Sequence, residues 1–373
     1  MTARAAGTAP DIVIVGGGII GCALAFDLAG HGMKVELLER RELAREASWA
    51  SAGIISPPTP ALGTRAELGL IGFRRYPELV AEVEGMTGIA TGFVATGELM
   101  ARHEEDSAKL REIRAWQENA GLQTVWLDGD ALREREPALR AEFTSGLLTP
   151  ETASIRLDKF TVALARAAAL RGATIREFST VQGITISGGR ATGVQTFEGE
   201  RPAGAVVIAA GAWSAALSDS LDYTISTRPV RGQMMSIVNP PVRINSVIAA
   251  EGGYIVPRAD GSVAVGATEE PDAGFDVRVT PAGIAWLVDL VDRVAPSLNQ
   301  GTLESTWAGL RPGSGDGELI VGKLPHLENV WVATGHFRSG ALLGPATSRL
   351  LAAAIVENRV DERLRAFGPE RFG

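Results

Sequence analysis

Residues 11–39 decide the fold of this chain and read DIVIVGGGIIGCALAFDLAGHGMKVELLE. The run at residues 12–15 is short, apolar and β-branched, which is typical of a buried parallel strand. A glycine-rich turn follows, then a helical segment at residues 22–29 and a second apolar strand at residues 35–38. Glu39 closes that strand. The order of strand, glycine turn, helix, strand and acid is typical of the βαβ unit that binds a dinucleotide.

Each residue of the turn has a physical role in this interpretation. Gly16 permits the tight turn, Gly18 lets the backbone approach a pyrophosphate, and Gly21 lets the helix pack closely on the strand. The helix N-terminus offers free N–H groups and a positive dipole end to the phosphates. The Glu39 carboxylate can accept hydrogen bonds from ribose hydroxyls, which argues against NADP. The motif alone leaves both FAD and NAD open.

Composition and charge narrow the possible partners. The chain has 373 residues, a formal net charge of −8 and no basic cluster, which argues against nucleic-acid binding. Its length predicts two packed domains rather than one simple core. No secretory signal or long uninterrupted apolar span is visible, so we expect a cytoplasmic protein without a membrane span.

Cysteine and histidine usage excludes two further kinds of site. Cys22 is the single cysteine, so no intrachain disulfide can form. We expect its side chain to be a small buried group of the first helix, which argues against a cysteinyl link to a flavin. The four histidines show no metal-ligand spacing, so no metal is expected.

The rest of the chain alternates between two kinds of pattern. After residue 227, strand-like runs alternate polar and apolar residues, and Asp260-Gly261 between two of them is a strong hairpin signal. Antiparallel pairing is therefore expected there, unlike the parallel N-terminal unit. Helices are predicted at residues 66–84, 104–120, 128–136, 157–171, 281–294 and 346–357. Together these patterns predict an α/β protein that combines a Rossmann-like parallel sheet with a mixed, largely antiparallel sheet.

Five segments together carry a resemblance to a known family. They are the glycine turn, RGQMM at 231–235, YIVPR at 254–258 with VGAT at 265–268, WAGLRPG at 307–313 and ATGHFR at 333–338. With these segments in this order, the chain resembles the glycine oxidases of the thiamine-biosynthesis type, within the D-amino-acid oxidase superfamily of flavoproteins. The resemblance extends from about residue 11 to about residue 351.

The resemblance implies a noncovalent FAD, which selects FAD over NAD. It also implies a Rossmann-like FAD-binding domain assembled from three separate segments, residues 10–84, 153–222 and 309–373. The substrate-binding domain would then comprise residues 85–152 and 223–308. The family further implies a homo-oligomer, with a homotetramer as the expected form, and a role in making the thiazole of thiamine.

The glycine motif and the resemblance together give a predicted cofactor site. Residues from the C-terminal segment would direct backbone N–H groups and the positive end of the last helix toward the flavin. The predicted cofactor-binding residues are Gly16, Gly18, Ile19, Ile20, Gly21, Glu39, Arg40, Ser48, Ala50, Ser51, Ala52, Gly53, Ile54, Val181, Ala210, Gly211, Trp213, Arg311, Gly335, His336, Arg338, Ser339, Gly340, Ala341 and Leu342.

The resemblance also assigns the substrate residues. Arg311 would bind the substrate carboxylate through its planar guanidinium, Tyr254 would add a hydrogen bond, and Arg338 would lie beside the site. No catalytic base is required if the amine loses its proton before hydride leaves carbon. Three alternatives stay open from the residues alone: Tyr254 as sheet packing, Arg338 as half of a structural ion pair, and His336 as a structural histidine rather than a base.

The predicted activity is oxidation of glycine or of a small D- or secondary amino acid, giving an imine and H₂O₂. Hydrolysis of the imine then yields a 2-oxo acid and ammonia. A dehydrogenase with another electron acceptor and a flavin-binding subunit without turnover are the alternatives. Residues smaller than those usual in the family stand at Ser339, Ala341 and Gly344. We therefore expect a looser pocket in which glycine is not the best substrate.

Overall fold

The computed structural model describes residues 9–103 and 107–372. Its centre is a six-stranded sheet in which the first strand of the chain occupies an inner position. Four of the five pairings are parallel, and the pairing at one edge is antiparallel. In spatial order the strands are Ile320–Lys323, Val330–Thr334, Val206–Ile208, Ile12–Val15, Val35–Leu38 and Thr174–Arg176.

Four helices form a layer that packs together over this sheet. The helix Ile19–Gly30 contacts both Leu157–Leu170 and Gly340–Glu357, and the last of these also contacts Ala66–Thr87. The helix Ile19–Gly30 carries apolar residues on all of its faces, and most of its residues are buried. Cys22 is among those residues and is fully buried, as predicted.

A second sheet of eight strands is antiparallel at every pairing except one. In spatial order it comprises Thr302–Ser314, Thr227–Val238, Val263–Gly266, Gly253–Pro257, Val247–Ala250, Glu98–Arg102, Ser145–Thr149 and Val125–Asp128. The helix Pro281–Val294 covers part of this sheet and buries Leu287, Leu290 and Val291 in a shared core. Thr280 caps that helix by accepting a hydrogen bond from the Gly283 N–H at 3.1 Å.

Smaller elements complete the chain. Two further sheets have three strands each: Val181–Ser187, Arg190–Thr196 and Gly199–Pro202 in one, and Ile54–Ile55, Ala153–Ser154 and Val94–Ala95 in the other. The short helices are Ala47–Ala50, Ser107–Asn119, Gly129–Arg135 and Glu362–Arg365. The predicted helix at 104–120 begins within residues 104–106, which lie outside the described residues. Within the described parts of the chain, no helix has the length and apolar character that crossing a bilayer requires.

The predicted α/β fold class is confirmed: a parallel sheet with helices is combined with a largely antiparallel sheet. The strand Thr302–Ser314 extends beyond the predicted domain boundary at 308. Arg311 consequently lies on a paired strand opposite Val230 rather than in a loop. The domain boundaries themselves stay a prediction.

The predicted start of the last helix at residue 346 is wrong, because the helix begins at Gly340. Pro345 predicts a helix boundary in this segment, because proline has no N–H to donate and disfavours helical backbone in the residue before it. In the fold, the hydroxyl of the fully buried Tyr76 donates to the Ala341 carbonyl at 2.6 Å. Ala341 is four residues before Pro345, so this bond replaces the helical one that proline cannot make.

Replacing Tyr76 with phenylalanine tests this compensation. We expect the Tyr76→Phe variant to lose about 1–3 kcal/mol of unfolding free energy, because the Ala341 carbonyl is left buried without a donor. Denaturant unfolding followed by circular dichroism measures the change. Tyr223→Phe is the matched control, since that hydroxyl donates to the Pro369 carbonyl in a less buried place and should cost less. Equal losses in both variants would contradict the compensation.

Candidate functional site

A cavity of about 730 Å³ lies where the carboxyl ends of the parallel strands meet residues of the eight-stranded sheet. Val15, Leu38, Ala209 and Thr334 stand at or just after the ends of four strands and line it. Strand Ile12–Val15 has one neighbour from the following βαβ unit and another from much later in the chain. Ligands of doubly wound sheets bind at such a switch point, so the topology alone marks this cavity as a binding site.

The glycine turn forms the part of the cavity wall closest to the first helix. Gly16 has φ of +115°, a region that favours glycine, and a Cβ there would overlap the Ala209 carbonyl oxygen. A Cβ on Gly21 would in turn overlap the Gly16 carbonyl oxygen. Gly21 therefore does not line the cavity but lets the helix approach the turn, as predicted for that position.

Polar contacts fix the N-terminus of this helix and the acid after the second strand. The Gly17 N–H donates to Glu39 Oε2 at 2.7 Å and the Arg41 N–H to Oε1 at 2.9 Å. The Ile19 N–H donates to Ser48 Oγ at 2.9 Å. The remaining N–H groups of the first helical turn have no acceptor within the helix. Each Glu39 oxygen keeps a second lone pair, so the carboxylate can still accept from a ribose.

An aromatic group and an arginine close one side of the cavity. The Arg40 guanidinium lies 3.8 Å from the centre of the Trp213 ring, and it also forms an ion pair with Glu46 at 2.5 Å. Phe275 packs against Trp213, and the centres of the two rings are 5.4 Å apart. Arg40 and Trp213 thus form a cation–π pair at the cavity wall.

The last helix brings its N-terminus to the cavity through Gly340 and Ala341, which both line it. Preceding them, His336 is buried, and its Nε2 lies 3.1 Å from Thr347 Oγ1. Burial lowers the pKa of His336 to about 4, opposed by a hydrogen bond to the Thr334 backbone. A neutral, hydrogen-bonded imidazole that ties the turn to its helix matches the structural interpretation of this residue.

Arg311 and Tyr254 reach the same cavity from two strands of the eight-stranded sheet. Arg311 Nη1 donates to the Thr268 carbonyl at 3.0 Å and to the Arg231 carbonyl at 3.4 Å. The guanidinium lies directly over Gly232, where a Cβ would overlap it. Burial raises the pKa of the Tyr254 hydroxyl, while the Arg311 charge opposes that shift. Tyr254 is therefore a protonated phenol beside a fixed cation.

A network beneath Arg311 holds those two carbonyls in place. Glu270 accepts from Arg231 Nη2 at 2.6 Å, from Gln233 Nε2 at 2.7 Å and from Thr268 Oγ1 at 2.5 Å. The backbones of Arg231 and Glu270 also exchange hydrogen bonds of 3.1 and 2.9 Å. Burial alone raises the pKa of Glu270, but these hydrogen bonds outweigh it and hold the pKa below its usual value. The Arg311 anchor thus rests on charged and backbone hydrogen bonds together.

Arg338 lines the cavity as well, and it forms an ion pair with Glu269. The sequence left open whether this arginine belongs to the site or to a structural ion pair. Both descriptions hold, because a cavity-lining guanidinium has a carboxylate partner of its own. Arg338 influences the pKa of both Tyr254 and Arg311, which places all three in one electrostatic environment.

The cavity brings together most of the residues predicted from the sequence. Gly16, Gly18, Ile19, Ile20, Glu39, Arg40, Ser48, Ala50, Ser51, Ala52, Gly53, Ile54, Val181, Ala210, Gly211, Trp213, Tyr254, Arg311, His336, Arg338, Gly340 and Ala341 line it. Gly21, Gly335, Ser339 and Leu342 do not. Ser339 precedes the last helix as its N-cap residue, and Leu342 packs against Gly69 and Gly72 of helix Ala66–Thr87.

Sequence reasoning missed several lining residues. Some neighbour a predicted residue in the chain, so the strand pattern around it could have suggested them: Gly17, Ala47, Gln182, Gly252 and Gly253. Met234 and Gly309 lie in strands, and Ala267 directly follows one, so which of them face the cavity could be told only once the strand register was known. Outside the lining, Glu269 pairs with Arg338 and Glu270 with Arg231, and neither glutamate stands out in the sequence.

The comparisons with known proteins agree with this geometry. Residues 11–354 match the family model described as FAD dependent oxidoreductase, DAO, and the chain belongs to this family. The chain is 34% identical over 343 residues to glycine oxidase from Pseudomonas putida, covering 91% of this chain and 93% of that protein. The crystal structure of glycine oxidase from Geobacillus kaustophilus superimposes with a TM-score of 0.88 at 31% identity, covering 96% of this chain and 98% of that one.

A further relative is longer than this chain. The bifunctional protein ThiO/ThiG from Trichormus variabilis is 35% identical over 369 residues, which cover 97% of this chain but 55% of that protein. The chain therefore spans about half the length of the bifunctional relatives it matches. The residues present fit FAD, because Gly16, Gly17 and Gly18 line the cavity with backbone alone and Glu39 is fixed with free acceptor capacity. Burial raises the pKa of Cys22, so its thiol is protonated and enclosed away from the cofactor.

Adding a methyl group at Gly16 tests the cofactor site. We expect Gly16→Ala to weaken FAD binding at least about tenfold, because a side chain at this φ costs on the order of 1–3 kcal/mol and overlaps Ala209. Titration of the apoprotein with FAD, followed by absorbance, measures the dissociation constant. Gly85→Ala, at an exposed helical position with open space around the new methyl group, is the control. Unchanged FAD affinity in Gly16→Ala would show that the turn does not hold the cofactor.

The depressed pKa of His336 predicts how stability depends on pH. The unfolded chain takes up a proton near pH 6.5 and the folded chain near pH 4, so the unfolded state binds more protons between these values. Unfolding free energy should therefore fall as the pH drops through this window, by up to about 1.4 kcal/mol per pH unit. Denaturant unfolding at several pH values should give a shallower slope for His336→Gln than for wild type or for His31→Gln, which alters an exposed histidine. Identical slopes in all three proteins would contradict this account.

Proposed function

We propose that this chain is an FAD-dependent amino acid oxidase of the glycine oxidase type. Its substrate would be glycine or a small D-amino acid or secondary amino acid. The observation that carries the proposal is the anchored Arg311 guanidinium beside the Tyr254 phenol in the cavity that also holds the glycine turn and Glu39. One cavity thus combines a dinucleotide cradle with a carboxylate-binding pair.

Arg311 would bind the substrate carboxylate. Its Nη1 donates to two backbone carbonyls, which leaves the donors on Nη2 and Nε for other acceptors. A guanidinium stays protonated throughout the physiological range and matches a carboxylate in two parallel hydrogen bonds. Because the guanidinium is fixed over Gly232, the carboxylate it binds is fixed too, and so is the orientation of the adjacent carbon.

Tyr254 would supply a second hydrogen bond to the same carboxylate. Its raised pKa keeps the hydroxyl protonated, so it can donate. FAD, when bound, supplies the two-electron acceptor for the hydrogen that leaves carbon as hydride. The contribution of the protein is then to orient the carbon–hydrogen bond and to exclude misaligned substrates.

Proton removal from the amine would not depend on a side-chain base. Of the described residues that line the cavity, Glu39, Glu46 and His336 are the ones whose side chains carry a carboxylate or an imidazole. Glu39 accepts from backbone N–H groups, Glu46 pairs with Arg40, and His336 is hydrogen-bonded to Thr347. Each has a structural partner, so we propose that the amine loses its proton to water before oxidation.

Anaerobic reduction tests the proposed activity. The FAD-loaded protein should lose its yellow absorbance when glycine, sarcosine, D-alanine or D-proline is added without oxygen. No bleaching by any of these amines would eliminate the proposal and favour a flavin-binding protein without turnover. Stopped-flow mixing of the reduced protein with oxygenated buffer then identifies the acceptor: rapid reoxidation with H₂O₂ release is expected for an oxidase, and slow reoxidation for a dehydrogenase.

The smaller residues around the last helix predict the order of substrates. Of the three smaller residues, Ala341 lines the cavity, Ser339 does not, and Gly344 packs near Ile19 and Ile20, which line it. We expect a secondary or slightly larger amine to exceed glycine in kcat/KM. A clear preference for glycine in steady-state kinetics would contradict this expectation. A homotetramer, a cytoplasmic location and a role in forming the thiamine thiazole likewise stay proposals.

Removing the guanidinium of Arg311 tests its assigned role. We expect Arg311→Met to lower kcat/KM by about 30- to 4,000-fold, mainly through a higher KM, because losing a buried charged hydrogen-bonding partner costs about 2–5 kcal/mol. Steady-state kinetics with the best amine measures the loss. Arg228→Met removes an exposed arginine from the adjacent strand and should retain wild-type kinetics. Similar kinetics for both variants would rule out carboxylate binding by Arg311.

A further inference from the structure

Arg338 and Arg311 lie in one electrostatic environment of the cavity but differ in the groups that hold them. Arg338 lines the cavity and forms its ion pair with Glu269. In the parts of the chain that the structure describes, Arg311 has no carboxylate within 4.0 Å of its guanidinium and is held by backbone carbonyls instead. Glu269 adjoins Thr268, whose carbonyl holds Arg311, so both arginines depend on the same short segment.

The charges of this group can be counted. The Glu269 carboxylate offsets the Arg338 guanidinium, and Arg311 contributes the remaining positive charge. The two neighbours act on Arg311 in opposite directions: the Arg338 charge lowers its pKa and the Glu269 charge raises it. The pocket therefore presents a net charge close to +1 to a ligand, which matches one carboxylate.

We propose that Glu269 determines the substrate charge class: it restricts the pocket to amino acids with a single carboxylate and excludes those with a second anionic group. This inference rests on the proposed amino acid oxidation at the same site. A second carboxylate near Arg338 must either displace Glu269 from its ion pair or lie beside it. The first route breaks the ion pair with Arg338 and the second places like charges side by side, so both routes disfavour a dianionic substrate relative to a monoanionic one.

Because the Glu269–Arg338 ion pair is partly exposed, its effect on ligand binding can be tested without disturbing the fold. The side chain of Arg338 is 54% exposed and that of Glu269 43% exposed, so the pair lies at the rim of the cavity. Exposed ion pairs contribute little to stability. Removing the Glu269 charge should therefore change which ligands bind while the fold is retained.

Two amines that differ by one carboxylate provide the test. Sarcosine carries a methyl group on nitrogen, and iminodiacetate carries a carboxymethyl group there. The measured quantity is the ratio of kcat/KM for iminodiacetate to kcat/KM for sarcosine, in the FAD-loaded enzyme. We expect Glu269→Gln to raise this ratio at least tenfold over wild type, through a lower KM for iminodiacetate, because Arg338 becomes available to the second carboxylate.

Asp272→Asn is the matched control. It removes the same charge from an exposed position three residues along the same segment, where Asp272 forms no ion pair with any residue in 9–103 or 107–372. This variant should keep the wild-type ratio. In the double variant Glu269→Gln/Arg338→Met, the gain should disappear, since the free guanidinium is the group that creates it. An unchanged ratio in Glu269→Gln, or an equal rise in Asp272→Asn, overturns the inference.

A binding measurement separates failure of this inference from failure of the proposed oxidation. Acetate and malonate are unreactive acids with one and two carboxylates, and their binding perturbs the flavin absorbance without turnover. We expect wild type to bind acetate more tightly than malonate, and Glu269→Gln to reverse or abolish that preference. If no amine reduces the FAD, the proposed activity fails while this comparison still tests Glu269. Equal preference in wild type and Glu269→Gln, or no binding of either acid, overturns the role of Glu269.

Discussion

The close backbone contact among Gly16, Gly21 and Ala209 is the constraint on which the site depends. A side chain on Gly16 would overlap the Ala209 carbonyl, and one on Gly21 would overlap the Gly16 carbonyl. These contacts bring the first helix down onto the strand that it follows, so the N-terminus of the helix faces the cavity instead of solvent. The apolar burial that encloses helix Ile19–Gly30 then makes this placement rigid. The cradle for a pyrophosphate is thus a consequence of packing, and the charge of the helix end follows from it.

The six-stranded and eight-stranded sheets contribute different groups to the cavity. The six-stranded sheet and its helices hold the groups that fit a dinucleotide, and the eight-stranded sheet supplies Tyr254 and Arg311. Each sheet has its own core, and the cavity lies where residues from both meet. Under the proposed function, a substrate carboxylate held on one sheet would therefore be placed relative to a cofactor held on the other. Any change in how the sheets pack would alter this placement without touching a residue of the site.

The fold class and the glycine turn that lines the cavity could be predicted because their signals are local. Residues 11–39 contain every element of the βαβ unit within one short segment, and the hairpin at Asp260-Gly261 is equally compact. Local rules failed where distant contacts decide. Pro345 predicts a helix boundary, but Tyr76 from another helix satisfies the carbonyl that proline leaves free, so the helix starts six residues earlier than expected. Glu269 stands in no motif, and its partnership with Arg338 arises only when residues 69 positions apart fold together.

The way in which Arg311 is anchored explains why its charge remains available to a ligand. A carboxylate partner would fix the guanidinium, but it would also neutralise the charge that a substrate carboxylate needs. Two backbone carbonyls fix the same group through dipoles and leave its full charge in place. The ion pair that makes this anchor rigid does not involve Arg311 itself. It lies between Arg231 and Glu270, whose backbones are also hydrogen-bonded to each other next to the carbonyls that hold Arg311. Arg338, in contrast, is paired directly with a carboxylate. Arg311 and Arg338 carry guanidinium groups of identical chemistry, but carbonyl partners leave the Arg311 charge in place, whereas a carboxylate partner offsets the charge of Arg338.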